Sequence, residues 1–143
     1  MHITNLISKA KNIELLQQEL SNIEPQSNNT MDKDILVMEI DLLTQELRCD
    51  IENFIADKHH FDKNSRYLMN LERQNIYSVQ PKISDLVEAL EDYTYNMQQY
   101  SEEKDWKSRD IVKRLENNFL KAKNRLIHIF SAFIGNSNRQ IAC

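Results

Sequence analysis

Apolar residues recur along this chain at steps of three and four, the spacing that lines up one face of an α-helix. The first series is Ile3, Leu6, Ala10, Ile13, Leu16 and Leu20, which predicts a helix over residues 3–23. Pro25 cannot continue it, because proline lacks the N–H and clashes with the preceding turn. Asn29 or Thr30 can then cap the next start with a side-chain oxygen. A second helix is predicted over residues 31–58. Its main stripe is Leu36, Ile40, Leu43, Leu47, Ile51 and Phe54, a narrow arc at about 100° per residue. A second stripe lies almost opposite: Ile35, Met38, Leu42 and Cys49. A helix apolar on two sides is buried on two sides, or has one side covered by another molecule.

Around residues 57–66 the rhythm fails, and an interruption near 60–64 is expected. A short third helix follows, carrying Tyr67, Leu68, Leu71, Ile76 and Val79. Pro81 ends it; Ser84 is the expected N-cap of a fourth helix, with Asp85 favourable in its first turn. The fourth helix carries Ile83, Leu86, Leu90, Tyr93, Met97 and Tyr100. The fifth carries Val112, Leu115, Phe119, Ala122, Leu126, Ile129 and Phe133, with Gly135 at the place of a C-cap glycine. The pattern predicts an all-α, single-domain antiparallel bundle of four or five helices over residues 1–135. Helices two and five are expected at its centre, and residues 136–143 as a flexible tail.

Composition sharpens this. The chain has 143 residues but one glycine and two prolines. Sheets need many reversals, and reversals lean on those two residue types. Long helices with few loops are what remains. With Gly135 the sole glycine, a phosphate-cradling glycine loop is excluded. Cys49 and Cys143 form no CxxC pair and suggest no disulfide framework. Cys49 reads as a small apolar side chain on its helix. The longest charge-free apolar run, residues 126–135, is far short of the roughly 20 residues of a membrane span, and the N-terminus lacks a continuous apolar signal region. A cytoplasmic location is expected, although a chain exported without a signal would look the same.

Charge is unevenly spread. Residues 1–104 hold 10 basic and 19 acidic side chains, whereas residues 105–143 hold 8 and 3. In the fifth helix Lys107, Arg114, Lys121 and His128 follow one another every seven residues as a polar ridge, with Lys123 and Arg125 nearby. Opposite lies an apolar arc wider than a surface helix needs. Its surplus strip, Leu120, Ile127 and Ile134, is either core or an exposed docking surface.

Other chemistry is thin. Asp57 and His60, with Glu52 near, share a helix face in the manner of metal ligands. Paired Glu-x-x-His motifs, which bundle di-metal sites use, are absent, so the stretch reads as a solvated helix end. Arg125 and His128 lie side by side on the fifth helix, but only two residues separate them, short of the four to six by which some small helical ribonucleases space an acid–base Arg and His, so the pattern does not match. Tyr95 and Trp106 fall off the core stripes and could anchor a partner. The function expected is therefore a non-enzymatic protein–protein interaction module of adaptor, chaperone, inhibitor or immunity type. It would bind a protein partner, or itself, through apolar helix faces and use no cofactor or metal. The alternative is a nucleic-acid-directed protein using the basic fifth helix.

Overall fold

The computed structural model describes residues 2–23, 30–57, 61–75, 82–105 and 107–135. They form five helices: α1 (Ile3–Ser21), α2 (Thr30–Ala56), α3 (Lys63–Asn75), α4 (Ile83–Glu103) and α5 (Arg109–Gly135). No strand occurs among the described residues. The protein is an all-α bundle, as the spacing predicts.

α1 packs against both α2 and α4, α4 against α5, and α5 against α3. The faces doing this are the ones the three–four spacing marks. Leu6, Ala10 and Ile13 of α1, Leu86, Leu90 and Tyr93 of α4, and Leu126, Phe130 and Phe133 of α5 are buried in one continuous core. α2 joins it late. Leu47, Ile51 and Phe54 are fully buried, whereas Leu36 and Leu43 are half-buried and residues 32–35 are exposed. This corrects the expectation that helices two and five are both central: α2 meets α5 over a small area, with the Phe54 and Phe130 rings 6.0 Å apart.

Between α2, which ends at Ala56, and α3, which begins at Lys63, lies the stretch of the expected interruption, of which residues 57, 61 and 62 are described. It is not simply a solvated helix end. Phe61 is buried, with its ring 5.5 Å from Phe54, 6.1 Å from Tyr93 and 6.1 Å from Phe130. Periodicity cannot flag such a residue, because it belongs to no helix.

Two polar devices then orient α3. The Asp62 carboxylate accepts the Ser65 backbone N–H at 2.8 Å, an N-cap bond. That bond, chiefly, holds the Asp62 carboxyl below its usual range, with nearby Lys123 adding to the effect. Arg66 reaches back to the C-terminal carbonyls of α2, donating to Ile55 at 3.2 Å and Ala56 at 2.6 Å. These carbonyls have no partner within their own helix.

Elsewhere the caps are plainer than expected. α4 begins at Ile83 with Lys82 at the cap and no side-chain cap bond, so Ser84 lies inside the first turn. Asn29, the tail residues 136–143, and Ile76 and Val79 of the expected third helix lie outside the described residues, as does the side chain of Thr30.

Candidate protein-binding surface

The second stripe of α2 is the clearest exposed apolar surface. Its three residues sit at i, i+3 and i+7, on the side of the helix turned away from the core stripe. Ile35 is 56% exposed, Met38 64% and Leu42 64%. Nothing among the described residues covers them. Farther along the same side, Cys49 is half-buried and disulfide-bonded, which departs from the expected inert thiol; Cys143 lies outside the described residues. The helix is held to its neighbour on the other side. Lys9 of α1 pairs with Asp50 and, at 2.8 Å, with Glu46. Burial pulls the Lys9 ammonium down, but the hydrogen bonds to Asp50 and Glu46 outweigh it and leave the group above its ordinary value.

The strip expected on α5 is not a surface. Leu120 is 43% exposed, but Ile127 is 3% exposed and Ile134 is half-buried against the core. The reason is α3, which crosses this side of α5: the Ser131 hydroxyl, beside Ile127 on the helix, donates to the Ile127 carbonyl and lies 3.4 Å from that of Met69. Most of the surplus apolar width on α5 is thus taken up inside the molecule, with Leu120 left exposed, and Ile127 is withdrawn as an exposed docking residue.

α3 itself holds a surface that the spacing did not identify. Among its described side chains Met69 and Ser65 are buried, whereas Tyr67, Leu68 and Leu71 are exposed. Arg66 must face the end of α2, and that rotation turns the apolar trio outward. Composition alone places the trio inside; the capping chemistry of Asp62 and Arg66 was the missed signal. Tyr95 on α4 is exposed as expected, and Trp106 lies outside the described residues.

The basic ridge is largely committed to carboxylates of the same bundle. Lys107 pairs with Glu103 at 3.6 Å, Arg125 with Glu88 at 3.4 Å, and His128 Nδ1 with Glu72 at 2.9 Å. Lys123, 4.0 Å from Asp62, also lies 5.7 Å from the Phe61 ring centroid. Arg114 and Lys121 are exposed, with no ion pair among the described residues. Each exposed pair contributes little to stability, about 0–1 kcal/mol. Together they show that the basic helix faces acidic helices of its own chain. Arg125 and His128 turn toward different helices, α4 and α3, rather than toward a common cleft.

Two concavities among the described residues are open and mixed in character. A cleft of about 220 Å³ between α2 and α3 holds Glu52, Arg66 and Arg73. There Arg66 is taken up by the α2 carbonyls, and Arg73 stands 4.0 Å from Glu52. A groove of about 340 Å³ between α4 and α5 holds Asp92, Asn96, Asn118, Lys121 and Arg125. Neither gathers the convergent set of groups that acid–base or nucleophilic chemistry requires. Among the described residues no group of three or more His, Cys, Asp or Glu could hold a metal; His59 and His60 lie outside them. No described helix is long and apolar enough to cross a membrane. Comparison of the chain with protein-family models, with curated proteins and with solved structures finds no match in any of the three.

Proposed function

We propose that this chain is a non-catalytic binding protein that engages a protein partner, or a second copy of itself, through the outward face of α2. The observation that carries the reading is the exposure of Ile35, Met38 and Leu42 as one strip on a helix whose other side is core. Contiguous apolar patches on soluble proteins commonly mark interaction sites. Fully burying one such side chain is worth roughly 1.5–3 kcal/mol, so covering three that are more than half exposed provides on the order of 3–5 kcal/mol. That is enough to anchor an interface but not to make a whole one. The exposed trio on α3 and Tyr95 on α4 are secondary candidates.

The nucleic-acid alternative has less support. Of the basic side chains it would use, Lys107, Lys123 and Arg125 already face the carboxylates of Glu103, Asp62 and Glu88, with which a phosphate would have to compete.

Affinity purification from the native cell tests the proposal, comparing wild type with the Met38→Glu/Leu42→Glu double variant. Both positions are exposed, so circular dichroism should show the variant folded. At least one protein, or an untagged copy of this chain, should be retained tenfold more by wild type. Indistinguishable retained sets would overturn the reading.

A further inference from the structure

We infer that the occupant of the α2 face is a basic amphipathic helix: a segment of a partner protein with apolar side chains one turn apart and Lys or Arg along both edges. The inference rests on the preceding reading that this face binds protein, and adds the chemistry of the partner.

Charge complementarity selects this occupant. Between Asp32 and Glu46 the chain carries five carboxylates and one basic residue, Lys33. At about 100° per residue, Asp32, Glu39 and Glu46 fall along one edge of the Ile35–Met38–Leu42 strip, and Asp34 and Asp41 along the other. Lys33 falls about 170° from the strip, on the far side of the helix. Glu46 is engaged by Lys9, and Asp41 lies near Arg48. Asp32, Asp34 and Glu39 are exposed, with no ion pair among the described residues. The face is therefore an apolar strip between two negative rails.

A second copy of the same face fits poorly. In either orientation, parallel or antiparallel, it sets rail against rail, and like charges in such register are repulsive. The basic helix of a second copy keeps cations with no ion pair among the described residues, Arg114 and Lys121, but it offers the α2 face no contiguous apolar strip, because Ile127 is buried and Ile134 is half-buried against its own core. Nucleic acid and anionic lipid are repelled by the same rails. A partner helix with basic edges satisfies both features at once, by the apolar-anchor mode of helix recognition. Ile35 to Leu42 spans about 10.5 Å of axis, so the occupant needs roughly three turns to cover the strip and reach the rails.

The test uses two synthetic amphipathic peptides of 14 residues, built from Leu and Lys or from Leu and Glu on one apolar pattern. Binding to the full chain is followed by fluorescence anisotropy. The Lys peptide should bind, with affinity falling at least tenfold between 50 and 300 mM NaCl, and the Glu peptide should not. The Met38→Ser/Leu42→Ser variant keeps every carboxylate and should lose at least tenfold in affinity. The Asp34→Lys/Glu39→Lys variant should reverse the preference to the Glu peptide. Undiminished binding by the Ser variant would show mere counter-charge attraction and overturn the inference, as would equal binding of both peptides or of neither. If light scattering shows a dimer that Met38→Glu dissolves, the occupant is a second copy: the inference falls while the proposed function stands. If neither peptide binds but the affinity purification still distinguishes wild type from variant, again only the partner chemistry is overturned.

Discussion

Phe61 lies between two helices, yet its ring meets Phe54 of α2, Tyr93 of α4 and Phe130 of α5. Removing it opens a cavity where three helices converge, and the walls are held by their own backbones. Phe61→Ala should cost about 3–5 kcal/mol in urea unfolding, the usual range for a buried phenylalanine; a cost below about 1 kcal/mol would show that the site collapses without it. A second residue-scale effect is titration. Desolvation raises the Tyr93 hydroxyl, and the bonds to Asp50 and Glu46 leave Lys9 raised despite its burial. Both groups hold their protons more tightly folded than unfolded. They favour the folded chain in full below about pH 10, and that advantage is lost as pH climbs through their folded values. Thermal melts should therefore fall above about pH 10, and less steeply in Lys9→Met; an unchanged slope in that variant would remove Lys9 from the account. Neither residue was legible as a partner beforehand. Phe61 stands in a polar stretch, and Lys9 finds Asp50 only through the α1–α2 packing.

At the scale of elements, the helices themselves were readable, because three–four spacing is a direct consequence of helical geometry. Their rotations were less so. α1, α4 and α5 bury the stripes that the spacing marks, whereas α3 does the reverse, burying Met69 and exposing Tyr67, Leu68 and Leu71. A short helix has few apolar side chains to bury, so a cap and a guanidinium bonded to two carbonyls can decide which way it faces. The two sides should respond unequally to truncation. Met69→Ala should cost about 2–5 kcal/mol, while Leu71→Ser should stay within about 0.5 kcal/mol. Equal costs in chemical denaturation would mean that α3 is turned as its composition suggests. α2 has the same division along its length: its C-terminal half is core, and its N-terminal half presents apolar side chains to solvent.

In the molecule as a whole, the surplus of apolar surface apparent in the sequence divides in two. On α5 it is mostly absorbed, because α3 covers Ile127, and on the ridge behind it Lys107 and Arg125 meet Glu103 and Glu88. On α2 it remains outside, framed by carboxylates. Spacing detects an excess of apolar width but cannot say which neighbour covers it, since that depends on contacts between residues dozens of positions apart. The uneven charge of the chain resolves in the same way: much of the positive C-terminal helix meets carboxylates of its own bundle, whereas Asp32, Asp34 and Glu39 beside the α2 strip have no ion pair among the described residues.

The claim beneath all of this is that the α2 strip is superfluous to folding. Equilibrium urea unfolding of the Ile35→Ser/Met38→Ser/Leu42→Ser variant tests it most directly. The account predicts a folding free energy within about 0.5 kcal/mol per site of wild type, as for exposed positions. A loss of several kcal/mol per site, the range found for buried leucines and isoleucines, would place the strip in the core and contradict it.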